Sequence, residues 1–260
     1  MLSPCIGRKK AMFLIKPSPT FHETVATIKT FDLPNKQSQY HFMPDNHIDL
    51  TMNLGSPIKR SLIGSIRQIT IETNEMIISS CRSKGMTLAG ENIQMICAKI
   101  PAQFTGLFFS PGSCAERDQL IRFGRFPEIK NSDDFENHIK SWWQKLPHFE
   151  PDFILEEAIE MMKASNGKIK VKDVNDQLGI SKSSLEQKFN REIGLTPKEF
   201  CKIEKLSHFL HSYIEHKDSL NLTQMTFLSG YYDQSHLIKE FRYFMDIQPK
   251  EFVQMAGLTF

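Results

Sequence analysis

The sequence predicts an α+β protein with two domains. A β-rich, sandwich-like or barrel-like domain comes first, and an all-α domain with two helix-turn-helix units joined by a long helix follows. Three observations predict this fold class. Glycine and proline interrupt short segments rich in isoleucine and threonine over about the first 130 residues, as turns between strands do. Apolar residues after residue 132 recur at helical spacing. One helical pattern then occurs twice, and an internal repeat defines an architecture.

Length and composition narrow the class of protein. The chain has 260 residues, of which 40% are hydrophobic and 24% charged, as in soluble globular domains. No apolar run is long enough to span a bilayer, and the run at residues 11–15 is too short for the core of a signal peptide. The cysteines are scattered without a Cys-x-x-Cys motif, which predicts reduced structural thiols. They are Cys5, Cys81, Cys97, Cys114 and Cys201. We therefore expect a cytoplasmic protein.

The predicted strands begin at residues 40–54, where apolar and polar residues partly alternate. Ile48, Leu50, Met52 and Leu54 fall on one side, and Asp49, Thr51 and Asn53 fall on the other. Segments 63–78 and 93–100 are rich in residues that suit a pleated surface, and residues 106–109 are a further candidate strand. Short strands separated by turns predict a small sandwich or barrel.

The predicted helices begin with one whose apolar residues share a face. They are Phe135, Ile139, Trp142 and Leu146. Trp142 and its neighbour Trp143 either pack within the chain or form a dimer seam. Pro147 ends this helix, so the domain boundary is placed at residues 147–151, between a first domain over 1–147 and a second over 151–260. Further helices are predicted at residues 153–163, 171–178, 181–193, 197–215, 222–229, 233–245 and 249–255.

The repeat lies in the second domain. Leu185, Phe189, Pro197 and Phe200 recur 52 residues later as Leu237, Phe241, Pro249 and Phe252. In each copy a short amphipathic helix ends at a glycine, Gly179 or Gly230, the residue that best adopts the left-handed conformation at a helix end. A capping residue, Ser181 or Asp233, then starts the next helix. A helix, a tight glycine turn and a helix with one polar face make a helix-turn-helix.

These motifs resemble a known family. The stretches concerned are Val171-x-x-Val174-x-x-x-Leu178-Gly179-Ile180-Ser181-x-x-x-Leu185-x-x-x-Phe189, Gly194-x-Thr196-Pro197-x-x-Phe200 and Gly230-Tyr231-x-Asp233-Gln234-Ser235-His236-Leu237-x-x-x-Phe241-Arg242. Over about residues 153–255 the chain resembles the DNA-binding domain of AraC/XylS-family transcription regulators. The stretch Met43-Pro44-Asp45-x-x-Ile48-Asp49-Leu50-x-Met52-Asn53-Leu54-Gly55 more weakly resembles the β-rich N-terminal domains of that family. Asp246 departs from the pattern, because most members carry glycine there.

The resemblance implies a bacterial sequence-specific transcription regulator without enzymatic activity. The first domain would bind a small-molecule effector or mediate homodimerisation. The second would bind double-stranded DNA and contact RNA polymerase. No cofactor, metal or membrane partner is expected. Residues 150–260 hold 14 lysine plus arginine and 17 aspartate plus glutamate, a net charge of −3, so a shallow salt dependence of DNA binding is predicted.

Candidate DNA contacts follow from the helix faces and from the family. The outward residues of the first recognition helix, about 181–193, are Ser183, Glu186, Gln187 and Asn190. The family's base-contacting positions correspond to Ser183, Glu186 and Gln187, and in the second recognition helix, about 233–245, to Ser235, His236 and Lys239. Glutamine pairs with adenine, glutamate accepts from cytosine and lysine reaches guanine. Candidates for phosphate contacts are Lys182, Lys188, Arg191 and Arg242. Two such helices about one helical turn apart would enter successive major grooves.

Two other functions remain open. One is a protein-interaction regulator that has lost DNA binding, which the negative charge of the second half favours. The other is a small-molecule-binding enzyme with a helical accessory domain, although the sequence offers no nucleophile with a partner base and no glycine-rich phosphate loop. His208 and His211, with Glu204 nearby, have the spacing of a metal site, but helix-surface histidines are the preferred interpretation.

Overall fold

The computed structural model describes residues 27–33, 39–109, 117–216 and 221–255. Cys5 and Cys114 lie outside these residues. Cys81, Cys97 and Cys201 are buried free thiols, as the scattered cysteines predict. Burial raises the pKa of Cys97 and of Cys201 to about 12, which keeps both thiols unreactive. No helix in the described ranges is both long enough and apolar enough to cross a membrane.

Nine strands in the described residues form two antiparallel sheets. They are β1 (Thr27–Leu33), β2 (Tyr40–Phe42), β3 (His47–Asn53), β4 (Ile58–Leu62), β5 (Gln68–Ile71), β6 (Glu75–Ser79), β7 (Met86–Ala89), β8 (Ile93–Pro101) and β9 (Leu120–Arg125). One sheet has the order β1-β8-β3-β6-β9 and the other β2-β7-β4-β5. Phe31, Tyr40 and Leu88, which come from both sheets, share one hydrophobic cluster. Over the described strands, this part is a two-sheet sandwich and not a closed barrel.

Strand β3 has the alternation that the sequence predicts. Ile48, Leu50 and Met52 are fully buried in a core that the five-stranded sheet shares with the helices. Asp49 and Asn53 point the other way but are buried as well, because the four-stranded sheet covers that face. The side-chain amide of Asn53 donates to two backbone carbonyls at the end of β5, at 3.2 and 3.1 Å. The polar side of this strand therefore faces the interior of the sandwich.

The strand predicted at residues 106–109 is wrong. Ala102–Phe104 form a 3-10 turn, and Thr105–Phe108 form helix α1. The Thr105 hydroxyl donates to the Ala102 carbonyl at 2.6 Å, which stabilises the helical turn locally. The apolar residues here pack against a helix and not within a sheet.

Helix α2 (Ser132–Trp143) is the amphipathic helix that precedes the predicted domain boundary. Its residue Trp142 stacks on Phe108 at 5.7 Å between ring centroids and meets Phe123 edge-on at 5.2 Å. Trp143 also contacts Phe108, at 6.0 Å. Both tryptophans therefore pack within the chain. The boundary at residues 147–151 falls in the segment between α2 and the next helix, which has no helix or strand.

The remaining helices match the predicted ones to within one residue at each end. They are α3 (Phe153–Ala164), α4 (Val171–Leu178), α5 (Lys182–Glu192), α6 (Pro197–His216), α7 (Leu222–Leu228), α8 (Gln234–Met245) and α9 (Pro249–Met255). Gly179 has a φ of 62° and Gly230 a φ of 80°, so both turns use the left-handed conformation. Asp246 adopts it too, with a φ of 57°. The two helix-turn-helix units are thus α4–α5 and α7–α8, joined by α6.

The two units repeat their core contacts. Leu185, Phe189, Leu237 and Phe241 are fully buried. Phe189 meets Phe200 edge-on at 5.7 Å between ring centroids, and Phe241 meets Phe252 in the same way at 5.5 Å. The pattern that recurs in the sequence is therefore one packing arrangement used twice.

The sandwich contacts the joining helix α6 and the second unit. The side-chain amide of Asn46 donates to the Phe200 carbonyl at 3.0 Å and to Glu204 Oε1 at 2.9 Å, both on α6. The backbone N–H of Gly85 donates to the Phe244 carbonyl of α8 at 2.9 Å. These contacts hold α6 and the end of α8 against the sandwich.

Candidate nucleic-acid interface and interior cavity

The first recognition helix, α5, presents a polar face to solvent. Ser181 caps it by accepting a backbone N–H of the first turn at 3.1 Å. Ser183 and Gln187 are exposed, and Glu186 and Asn190 are half-buried. All four predicted outward residues therefore reach the surface, which a helix that reads DNA requires.

The basic residues of α5 differ in how freely they could reach a phosphate. The Lys182 side chain is 75% exposed and lies 3.8 Å from a glutamate one turn away. Arg191 contacts the adjacent glutamate at 2.5 Å. Lys188 forms an ion pair with Asp152, the residue that caps α3, and this contact turns its side chain toward the helical bundle. Lys182 is thus the most available cation on this helix.

The second recognition helix, α8, is capped by Asp233, whose carboxylate accepts the N–H of His236 at 2.7 Å. Ser235, Lys239 and Arg242 are exposed. The described residues give neither Lys239 nor Arg242 an ion-pair partner. These two cations are therefore free to contact a nucleic acid.

Glu240, whose role the sequence does not reveal, is buried in a cluster of charges. Its carboxylate lies 3.1 Å from the Lys202 ammonium and 3.6 Å from the Lys205 ammonium, both on α6. His236 Nε2 lies 3.3 Å from the same carboxylate. This predicted base-reading histidine is therefore also tied to the packing of α8 on α6, unlike Ser235 and Lys239.

A cavity of about 200 Å³ lies between the two sheets. Much of its wall is apolar, with Phe31 and Met95 from the five-stranded sheet and Phe42, Met86 and Leu88 from the four-stranded sheet. Ser207, Leu210 and His211 of α6 complete the lining. The helix that joins the two helix-turn-helix units is therefore part of the cavity wall.

Four charged side chains in the cavity wall balance one another. The Asp49 carboxylate forms an ion pair with Arg82 and lies 2.6 Å from the Lys99 ammonium. Asp45 forms a second ion pair with Lys99 and lies 3.8 Å from Arg82. Burial alone would raise the pKa of Asp49, but the charges of Lys99 and Arg82 outweigh burial and hold that pKa well below its ordinary value. Two cations and two carboxylates thus form a closed network.

Arg60 also lines the cavity, as does Lys29, and Arg60 differs from the four paired residues. It is only 5% exposed, its Nε lies 3.4 Å from the Met86 sulfur, and its Nη2 has no hydrogen-bond partner among the described residues. Burial, with a smaller contribution from the charge of Arg82, lowers the pKa of Arg60 to about 10, so the guanidinium stays charged at neutral pH. Sequence reasoning missed these five residues because alternation cannot tell whether a polar strand face meets solvent or a second sheet.

The histidine spacing on α6 does not form a metal site in the part of the chain that the structure describes. No group of three histidine, cysteine or carboxylate side chains there could hold a metal ion. Glu204 is bonded by Asn46 instead, and His211 Nδ1 lies 2.8 Å from the Ser207 carbonyl.

Part of the chain matches a known protein family, and its fold is similar to solved structures. Residues 175–255 match the family described as "Helix-turn-helix domain". No curated protein matches the sequence. In fold, the chain is similar to ToxT from Vibrio cholerae, with a TM-score of 0.58 and 15% identity over 89% of this chain and 99% of ToxT.

Two liganded forms of ToxT from Vibrio cholerae are similar to the chain as well. ToxT bound to (E)-4-(8-methylnaphthalen-1-yl)but-3-enoic acid has a TM-score of 0.57 and 15% identity, over 88% of this chain and 98% of ToxT. ToxT bound to an unsaturated fatty acid has a TM-score of 0.56 and 13% identity, over 89% of this chain and 95% of ToxT. Residues 175–255 thus match a helix-turn-helix family, in agreement with the repeat found in the sequence, and the chain has the two-domain fold of ToxT.

Proposed function

We propose that the chain is a sequence-specific transcription regulator that places α5 and α8 in successive major grooves of double-stranded DNA. The observation that carries this proposal is the repeated unit itself, with the same ring contacts in each core and a polar, solvent-facing recognition helix on each. Because α6 joins the units, a single chain carries two recognition helices. Helices of this type read base edges with their N-terminal residues.

The proposed base-reading residues lie on the exposed faces of the two helices. They are Ser183, Glu186 and Gln187 on α5, with Asn190 on the same outward face, and Ser235, His236 and Lys239 on α8. Lys182, Lys188, Arg191 and Arg242 are proposed to contact phosphates, which position the protein on the duplex and carry no sequence information directly.

We further propose that residues 1–147 form the effector-binding and dimerisation domain and residues 151–260 the DNA-binding domain. ToxT binds a fatty acid and a naphthalenyl acid in the structures cited above, and this chain has a cavity in its β-rich part. A small-molecule effector in that cavity would touch α6 and so reach both helix-turn-helix units. RNA polymerase is a further proposed partner. The proposed location of the protein is the cytoplasm.

Selection of genomic DNA by the purified full chain at about 50 and about 200 mM salt tests the DNA-binding proposal. The expected result is a site with two short elements about one helical turn apart, bound less tightly at the higher salt. Absence of enrichment at both salt concentrations would favour a regulator that acts through protein contacts alone.

Lys239→Ala tests the reading of bases by α8. The variant is expected to lose about 1–3 kcal/mol of binding free energy on the selected site and less on random DNA, because lysine can reach a guanine edge. Lys250→Ala is the matched control, since Lys250 is an exposed lysine on α9, outside the recognition helices. Fluorescence anisotropy measures both affinities. Equal losses on the two DNAs would remove Lys239 from the base-reading residues.

A further inference from the structure

We propose that Glu240 fixes the tautomer of His236, so that this histidine presents an unprotonated Nδ1 to the major groove and accepts a hydrogen bond from the amino group of adenine or cytosine. This role rests on the proposed DNA-binding function and deepens it, because it names the chemical group that one recognition residue reads. Glu240 acts on DNA only through the histidine and is therefore a positioning residue.

His236 lies at the border between the recognition face of α8 and the core. Its backbone N–H donates to the capping carboxylate of Asp233 at 2.7 Å, which places it in the first turn, where recognition helices contact base edges. Its side chain is 43% exposed. Glu240 follows four residues later on the same side of the helix and is buried. The imidazole therefore has solvent on one side and a buried carboxylate on the other.

The charges around Glu240 favour a neutral imidazole. The Lys202 ammonium lies 3.1 Å from carboxylate oxygen Oε1, and the Lys205 ammonium lies 3.6 Å from Oε2. Two cations already compensate one negative charge, so the carboxylate needs no third cation. His236 Nε2 lies 3.3 Å from Oε1. A neutral imidazole beside this oxygen is therefore sufficient, and its proton can lie on either ring nitrogen.

The carboxylate selects between these two tautomers. An ionised carboxylate accepts hydrogen bonds and donates none. A proton on His236 Nε2 faces the negative Oε1 favourably, whereas a lone pair on Nε2 would be repelled by it. In a neutral imidazole one nitrogen donates and the other accepts, so Nδ1 becomes the acceptor. The described residues give Nδ1 no hydrogen bond.

Tyr231 holds the imidazole ring from a second side. This buried tyrosine meets the His236 ring edge-on at 5.4 Å between ring centroids. The tyrosine ring is itself packed by the Lys205 ammonium, 4.3 Å from its centroid, and by Phe209, edge-on at 6.4 Å. The orientation of His236 is thus set by the protein before DNA binds.

An acceptor at this position reads a specific part of the base pair. In the major groove the donors are the N6 amino group of adenine and the N4 amino group of cytosine, whereas guanine N7 and O6, adenine N7 and thymine O4 are acceptors. An unprotonated Nδ1 can pair only with an amino group. A single hydrogen bond of this kind changes affinity by about three- to tenfold.

Nuclear magnetic resonance of the full chain, labelled with ¹⁵N in its histidines, measures the tautomer without DNA. Protonated and unprotonated imidazole nitrogens differ in ¹⁵N chemical shift. The chain has nine histidines, and the signal of interest is the one missing from His236→Ala. At about pH 9, where imidazoles are ordinarily neutral, wild-type His236 should carry its proton on Nε2 alone. A proton on Nδ1, or a mixture of tautomers, would overturn the inference.

Two variants separate the orientation of the imidazole from the stability of the charge cluster. Glu240→Met removes the acceptor and should give a mixture of tautomers. Lys205→Met removes one ammonium from the same carboxylate but leaves Oε1 in place, so the proton should stay on Nε2. An unmixed Nε2–H tautomer in folded Glu240→Met would overturn the role of Glu240. Thermal melting shows whether each variant is folded, and the wild-type measurement needs no variant.

Modified bases in the selected DNA site test what His236 reads. N6-methyladenine and N4-methylcytosine block an amino group toward the major groove, and 7-deazapurines remove the N7 acceptor. At one position, amino methylation should weaken wild-type binding by about three- to tenfold and leave the binding of His236→Ala unchanged. Fluorescence anisotropy measures each affinity. A loss caused by a 7-deazapurine that disappears in His236→Ala would show that Nδ1 donates and would overturn the inference, as would finding no modification whose effect depends on His236.

The failure of this inference can be distinguished from the failure of the DNA-binding proposal. A chain that binds its selected site but has the other tautomer, or reads an N7 acceptor with His236, overturns the inference and leaves DNA recognition intact. A chain that selects no DNA site overturns the proposed function and base reading by His236 with it. The tautomer measurement then still decides whether Glu240 orients the imidazole.

Discussion

At the residue scale, the Asp49 carboxylate neutralises two buried cations of the sandwich interior. It is 4% exposed and contacts both Arg82 and Lys99. Without it, two buried cations would share only Asp45, which is more exposed and lies farther from Arg82. The interior charge of the sandwich therefore depends on one carboxylate at the middle of β3.

Asp49→Asn is expected to lower the free energy of unfolding by about 3–5 kcal/mol, because removing one partner leaves the others buried and uncompensated. Asp32→Asn is the control, since Asp32 is exposed on β1, and its effect should stay within about 0.5 kcal/mol. Urea denaturation measures both values. A loss below about 1 kcal/mol for Asp49→Asn would mean that Asp45 and water compensate the cations.

The same carboxylate gives the protein a pH dependence. Lys99 and Arg82 hold the pKa of folded Asp49 below its ordinary value of 3.8, so the unfolded chain takes up a proton first as the pH falls. The stabilisation is therefore complete above about pH 5 and is lost progressively below about pH 4. The stability difference between wild type and Asp49→Asn should shrink over this range in urea denaturation. A difference that stays constant down to about pH 3 would contradict the assigned network.

At the element scale, the helices could be predicted because their ends carry residues with a specific backbone role. Ser181 and Asp233 cap α5 and α8 through hydrogen bonds to the first turn, and Gly179 supplies a left-handed turn. The segment 106–109 carries no comparable signal. Its apolar residues suit a strand or a helix equally. The hydrogen bond of the Thr105 hydroxyl and the contact of Phe108 with Trp142, far along the chain, both favour the helix.

Two glycines at helix junctions should differ in their tolerance of alanine. Both have a positive φ, 62° at Gly179 and 69° at Gly167, so each substitution costs about 1 kcal/mol in backbone strain. A Cβ at Gly179 meets no atom within 4 Å, whereas one at Gly167 would lie 2.1 Å from the Cys201 carbonyl oxygen of α6. Gly167→Ala should therefore be destabilised by at least about 2 kcal/mol more than Gly179→Ala in urea denaturation. Equal losses would show that α6 moves away from this junction at little cost.

At the scale of the whole molecule, the order of the two parts could be predicted from the sequence, but the cavity could not. The repeat, and the change from strand-like alternation to helical spacing of apolar residues, are local patterns that can be read directly from the sequence. The environment of Arg60 and Asp49 depends on how the two sheets pack face to face. It also depends on α6, which contributes Leu210 and His211 to the cavity wall. Such contacts join residues far apart in the chain, so no single window of sequence contains them.

The small number of available cations on the recognition helices determines how strongly salt should weaken DNA binding. Of the four proposed phosphate contacts, Lys188 and Arg191 already contact carboxylates, and Lys182 and Arg242 are the more available. Each neutralised phosphate contributes about −0.9 to the slope of log binding constant against log salt. We therefore expect a shallow slope of about −2 to −4 for the selected DNA site.

Lys182→Ala should make that slope shallower by about one, because Lys182 is largely exposed and releases a counter-ion when it meets a phosphate. Lys188→Ala should change the slope less than Lys182→Ala, because its ammonium also pairs with Asp152 at the cap of α3. It should instead lower the free energy of unfolding by about 0.5–1 kcal/mol. Titrations at several salt concentrations and urea denaturation separate the two effects. A change of slope as large for Lys188→Ala as for Lys182→Ala would mean that Lys188 leaves Asp152 for the phosphate backbone, so that DNA binding loosens the junction between α3 and α5.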